Sequence, residues 1–253
     1  MKEIKIIASK YDVYNLENFI AKYHSQKMYY KDNQWYFRDH LDKEFEEIEF
    51  SIKILDFENI SEDQFFDYMK TNVFIAYETA RKLTYSEGYE DDFAIFDKNF
   101  DVVRKIEMSM LKYQYMENWS IIEYFADLFL EVLKSHLFKN GNKRFALAFL
   151  KALMNSAGFY INWSRRDHNY YLDRIQNSMA EEIVCLAICL SNRSFEDSSF
   201  LLREQKENNS GKNNAESCVN KLRKYQTSDL SDRHEKIIIE VVKWIKNLTT
   251  ISY

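Results

Sequence analysis

The sequence predicts a mainly helical fold with a small strand-containing part at its N-terminus. Three observations carry this. Apolar residues recur at helical spacing through the long segments between Ser61 and Leu248. Strict two-residue alternation is clear in one place, Glu47–Leu55, where Ile48, Phe50, Ile52 and Ile54 alternate with Glu47, Glu49, Ser51 and Lys53. The segment from Asn142 to Ala157 is apolar on nearly every face, the mark of a helix at a domain centre.

Taken in order, Lys2–Ala8 alternates weakly and reads as a short strand, Asn15–His24 as a helix, Gln34–Asp39 as a strand and Glu47–Leu55 as a half-buried strand. These make an α+β part over residues 1–60. Lone His24 and His40 belong to its surface or an interface. A helical core follows over 61–198. Its first helix opens at Ser61, with Gln64 three residues on as a capping box, and extends to Lys82. Its stripe of Phe65, Phe66, Tyr68, Met69, Val73, Phe74 and Tyr77 reads as core. Thr84–Phe100, with Gly88 and the acidic run Glu90-Asp91-Asp92, reads as a loop or flap. Val102–Tyr115 and Ser120–Ser135 are helices, and Gly158 fits the position after a helix C-terminus. Ser178–Leu190 closes the bundle, with Cys185 and Cys189 on one buried face as reduced thiols. Residues 199–220, with the polar run Gln205–Asn214, read as a linker. Residues 221–253 hold an amphipathic helix, Ser231–Leu248, which docks on the core, pairs with a second subunit or covers a groove.

Between two of these helices lies a short loop, His136-Leu137-Phe138-Lys139-Asn140-Gly141-Asn142-Lys143-Arg144. Polar groups on a rigid support are where chemistry is expected. Gly141 allows a sharp turn, and the helix then starts at Asn142. The first N–H groups of a helix lack intrahelical partners and carry the positive end of its dipole, a ready anion site. Lys143 and Arg144 add two cations, and Arg grips phosphate oxygens in a bidentate way. His136, across the loop, is the residue type best suited to take a proton at neutral pH. Phe138 would plug the loop into the core. A histidine beside two basic residues at a helix start is also what a plain solvated loop carries, and the spacing of the whole set is what separates the two readings. A base facing an anion cradle points to transfer of a phosphorus-containing group to a hydroxyl.

The pattern His136-x-Phe138-x-x-Gly141-Asn142-Lys143-Arg144 resembles the signature of the Fic/Doc family. With Lys143 in the eighth place it is more similar to the Doc (death-on-curing) branch than to AMP-transferring Fic enzymes, which usually carry Gly there. The resemblance extends over about Thr84–Phe195. It implies a Fic/Doc-like helical bundle in which His136 is the general base for a target hydroxyl. It also implies that Gly141, Asn142 and the loop backbone hold the phosphates of a nucleoside triphosphate, ATP by expectation, while Lys143 and Arg144 neutralise them. The fifth place normally holds an acid that binds Mg²⁺. Here it is Asn140, a neutral ligand that weakens any metal site. The implied activity is phosphoryl transfer to a Ser/Thr hydroxyl of a protein, as the toxin of a toxin–antitoxin pair. In the Doc branch the target is a translation elongation factor and an antitoxin fills the groove. AMP transfer is the rival reaction. A third reading is a catalytically impaired nucleotide- or protein-binding protein, motivated by Asn140. The family's flap ahead of the motif falls on the Thr84–Phe100 loop. Its self-inhibitory Ser/Thr-x-x-x-Glu-Gly pattern fails by one place, because Leu83 stands four residues before Glu87.

Composition bounds these readings. A net charge of −5 argues against general nucleic-acid binding, although Arg165 and Arg166 with Lys143 and Arg144 could form a local basic patch. After Gly158, the run of Trp163, Arg165, Arg166, His168, Tyr170 and Tyr171 could meet a base or a target, or start a capped helix. Three cysteines with no zinc spacing, no signal-peptide apolar stretch and no run of about 18 apolar residues predict a cytoplasmic chain without a membrane span. Oligomerisation stays open.

Overall fold

In a computed structural model of the 253-residue chain, the structure describes residues 1–38, 45–86, 102–135, 138, 141–161 and 229–252. The expectations for Glu87, His40, the flap beyond Ser86, the 163–171 run, the Ser178–Leu190 helix with its cysteines, and the 199–220 linker lie outside those residues.

The N-terminal part is a four-stranded sheet with two short helices. Strand β1 spans Lys2–Ser9, α1 Lys10–Tyr14, α2 Leu16–Tyr23, β2 Met28–Lys31, β3 Gln34–Arg38 and β4 Phe45–Leu55. The sheet order is β1-β4-β3-β2, with β1 parallel to β4 and the other pairs antiparallel. The β2–β3 hairpin closes through Asp32 and Asn33, both at positive φ (50° and 62°), the backbone that a two-residue turn with the twist of the strands requires. The expected alternation in β4 holds at Ile48 and fails at its end. Ile54 is 45% exposed and Leu55 is buried instead, although both stay paired with β1, at Ala8 and Ser9. Asn15–His24, expected as one helix, is preceded by α1, which Asn15 separates from α2.

Among the described residues, five helices make the rest: α3 (Glu62–Ser86), α4 (Val102–Gln114), α5 (Ile121–Lys134), α6 (Asn142–Ser156) and α7 (Leu230–Leu248). Thr84–Ser86, expected in the loop, is the last turn of α3. The stripe of α3 is core at Phe65 and Met69 and continues through Asn72, Ala76 and Ala80, steps of three and four residues. Phe74 departs from the expectation: nine residues after Phe65 it points about 180° away at 3.6 residues per turn, and it is 66% exposed. Helix α5 is central, packing against α4, α6, α7 and β1. Its buried Asp127 receives Lys112 of α4 at 2.7 Å. Helix α7 docks on α5 through Ile237, Val241, Val242, Trp244 and Ile245. It runs straight into β6 (Thr249–Ile251), which pairs antiparallel with β5 (Phe159–Ile161). Of the three roles open to this segment, docking on the core is the one observed.

One hydrophobic core runs from Ile4 to Ile251, so the N-terminal sheet and the helices share it. Phe19 and Tyr23 of α2 meet Phe159 edge-on, and Phe57 stacks on Trp119 at 5.1 Å. At the end of α6, Gly158 (φ 86°) lies flat against β1. A Cβ there would stand 2.1 Å from the Lys5 carbonyl oxygen, so only glycine allows the approach. Ile7 N–H donates to Ala157 O at 2.9 Å beside it, covering part of the sheet edge. Among the described residues no helix is long and apolar enough to cross a membrane.

Candidate functional site

The nine-residue stretch His136–Arg144 lies between the C-terminus of α5 and the first turn of α6, of which Asn142, Lys143 and Arg144 are part. Helix α5 ends at Lys134. Ser135 closes it, its hydroxyl donating to Glu131 O at 2.6 Å and its N–H to Val132 O at 3.2 Å. His136, Leu137, Lys139 and Asn140 lie outside the described residues, and with them the expected base and the expected metal position.

Phe138 is buried, its ring 5.0 Å from Phe145 of α6 and 6.1 Å from Tyr77 of α3. It therefore pins the middle of the loop to both helices. Asn142, the first residue of α6, grips the backbone of Phe138 from both sides. Phe138 N–H donates to Asn142 Oδ1 at 2.8 Å, and Asn142 Nδ2 donates to Phe138 O at 2.6 Å. The resemblance implies a phosphate contact for Asn142, but its amide oxygen and one of its amide N–H groups are engaged in closing the loop. The Phe138 backbone is thereby held to the start of α6 by one side chain.

Gly141 sits at the N-cap of α6 in the left-handed region (φ 84°, ψ 7°) and is buried. Its carbonyl accepts from Phe145 N–H at 2.9 Å, the first bond of the helix. A glycine offers no side-chain acceptor, so α6 starts without a side-chain cap, and its first turn holds no acidic residue. Lys143 and Arg144 stand in that turn, both half-buried. Two cations at the positive end of a helix dipole are an unfavourable placement for the helix alone. They are favourable where an anion is to be bound.

The opposite end of α5 is finished differently. Ser120 caps it in a capping box with Glu123, and Asp12 reaches in from α1. The Asp12 carboxylate, 3% exposed, accepts from Ile121 N–H at 2.8 Å and Ser9 N–H at 3.1 Å. Ser9 Oγ lies 2.6 Å from Trp119 O. Burial pushes the Asp12 carboxyl above its ordinary range, and the donated hydrogen bonds pull part of that shift back. Lys246 of α7 adds an ion pair to Glu123 at 2.9 Å. Sequence reasoning missed Asp12. Ser9-x-x-Asp12 is itself a capping box and was visible, but its partner Ile121 is 109 residues away.

With an α5 of 14 residues, the two ends stand about 21 Å apart at 1.5 Å per residue. The loop and Asp12 are thus separate sites on one rod. Compared with family models, curated proteins and solved structures, the chain matches none of them.

Proposed function

We propose that the α5–α6 loop binds the phosphates of a nucleoside triphosphate and that the protein transfers its terminal phosphoryl group to a Ser or Thr hydroxyl of a protein. One observation carries the reading: α6 opens on a left-handed, buried Gly141 with no side-chain cap and with Lys143 and Arg144 in its first turn. That arrangement gives up helix stability and gains an electropositive helix start. The Asn142 clamp on Phe138 supports it, because a phosphate cradle needs a loop held rigid before the ligand arrives.

In this reading His136 takes the proton of the target hydroxyl, whose oxygen forms a bond to the γ-phosphorus. The bond from that phosphorus to the bridging oxygen breaks, and the nucleoside diphosphate leaves with the electron pair. Arg144 and Lys143 hold non-bridging oxygens as charge moves toward the leaving group. The donor set of the described loop residues is basic and amide, which suits phosphate and not a metal ion. A magnesium ion would accompany the triphosphate and reach the protein through Asn140. The carboxylate-free loop makes that contact weak. The toxin role and its antitoxin partner rest on the resemblance alone.

The test is transfer from ATP labelled on either phosphorus, with purified chain and a cell extract as target source. Label arriving from the γ position, and falling by roughly 10²–10⁴ in His136→Ala, supports the proposal. Label arriving only from the α position replaces it with AMP transfer. Asn140 favours a second reading, nucleotide binding without turnover. It wins if ATP binds, nothing is transferred, and Asn140→Asp restores transfer.

A further inference from the structure

A second site lies at the junction of the N-terminal sheet and the helices, about the length of α5 away from the loop. A cleft of about 420 Å³ opens between the start of α1, the turn after β4 and the segment joining α4 to α5. That volume lies in the range of ligand clefts. Its floor is aromatic and rigid. Phe57 and Trp119 stack at 5.1 Å with 12° between their planes, and the Tyr113 ring meets Trp119 edge-on at 5.4 Å. All three are buried. Its rim, by contrast, displays large apolar side chains in water: Tyr115 is 83% exposed, Tyr11 45% and Met116 42%. Three such residues around one opening form a patch, and patches of this kind mark interaction surfaces.

The charge at the rim selects the occupant. Among the described residues, the lining carries Asp56, Glu58 and Glu117 against Lys10. Lys10 bridges Asp56 at 2.9 Å and Glu58 at 2.8 Å, and Asn59 Nδ2 donates to Asp56 at 2.6 Å. Those two carboxylates are thereby ordered along one lip. Glu117 stands in the α4–α5 segment, exposed, and keeps the cleft net acidic. A phosphate or nucleotide is repelled by such a lining. A planar cation is suited to it: guanidinium stacks on exposed aromatic faces, here those of the rim tyrosines, and pairs with carboxylates in the same plane, which a lysine ammonium does less well.

We propose that this cleft receives an arginine side chain of a partner polypeptide, with apolar residues on either side of that arginine resting on Tyr11, Tyr115 and Met116. Arginine capture here does not rest on phosphoryl transfer at the loop and stands or falls separately from it. It is tested by calorimetric titration of the full chain with the blocked peptide acetyl-Ala-Leu-Arg-Leu-Ala-amide, its citrulline analogue and agmatine. The arginine peptide is expected to bind on the order of 0.1–1 mM, with the citrulline peptide, equal in shape and uncharged, weaker by roughly tenfold. Glu117→Lys and Tyr115→Ser, both at exposed positions, are expected to weaken the arginine peptide by a similar factor while leaving thermal unfolding unchanged. No binding by about 10 mM, equal affinity for arginine and citrulline peptides, or full affinity in both variants overturns the proposal. Agmatine binding as tightly as the peptide overturns its polypeptide part.

Discussion

Helices α5 and α6 are consecutive in the chain and pack together, yet their N-termini are finished in opposite ways. That of α5 is closed by Ser120, Glu123 and the buried carboxylate of Asp12, three acceptors for donors that the helix itself leaves unpaired. That of α6 has a glycine for a cap, no acid in its first turn and two cations. The first end spends its polar groups on holding the N-terminal part to the core. The second has no side-chain cap and sets two cations at the positive end of the helix dipole, a placement that favours an anion.

The comparison breaks most easily at Asp12. Asp12→Ala removes the acceptor from two buried N–H groups and is expected to cost about 3–5 kcal/mol of stability in denaturant unfolding. Transfer activity per folded molecule should be unchanged, because the loop is at the other end of α5. A specific activity that falls with stability would show the two ends to be coupled. Acid sharpens the same point. Folding raises the Asp12 pKa above its ordinary 3.8, so the native state holds that proton more readily than the unfolded chain. Its contribution to stability therefore falls as pH rises from 3.8 through the folded value. The stability gap between wild type and Asp12→Asn should shrink across that window and stay level above it. A gap that widens with pH would mean that the donated hydrogen bonds outweigh burial.

The two glycines at the ends of α6 provide the next contrast. Both have positive φ, 84° at Gly141 and 86° at Gly158. Gly158→Ala adds a clash with Lys5 O to the conformational cost, and should lose about 3 kcal/mol or more by the same unfolding measurement. Gly141→Ala meets the conformational cost, about 1–2 kcal/mol, and should reduce ATP affinity by more than its stability loss accounts for. If Gly141→Ala changes stability alone, the turn is a joint and not a cradle.

How much the sequence made legible depends on how local each feature is. The helices announced themselves because Phe125, Phe129 and Val132, or Phe145, Phe149 and Leu153, repeat within a few residues of one another. The turn at Gly141 was legible for the same reason: glycine, the cations and the next apolar run are adjacent. The tie of Asp12 to α5, the packing of Gly158 on β1 and the β5–β6 pair were not. Each owes its role to a residue about 90 or more positions away: Ile121 for Asp12, Lys5 for Gly158, Thr250 for Tyr160. A single sequence holds no record of such pairings. Met28–Lys31 was missed because Tyr29 and Tyr30 both face partly into solvent and the strand lacks alternation, its order coming from Tyr36 and Trp35 across the hairpin. For the site, residue identities sufficed to propose a chemistry, but not to reveal that Asn142 is engaged with Phe138.

The smallest expected effect tests the comparison most directly, because it has the opposite sign to ordinary mutational damage. Lys143 stands in the first turn of α6, where the dipole disfavours a cation and favours a carboxylate. Were that end merely structural, like the start of α5, Lys143→Glu would be a plain improvement. A phosphate cradle gives a split result instead. Thermal unfolding should shift upward, by an amount equivalent to about 0.3–1 kcal/mol, while ATP affinity falls by roughly tenfold or more as a charge that met phosphate becomes one that repels it. A variant both more stable and as tight for ATP would remove the reason for placing cations there. A variant less stable and weaker would assign Lys143 to holding the loop, together with Asn142, and leave Arg144 as the phosphate contact.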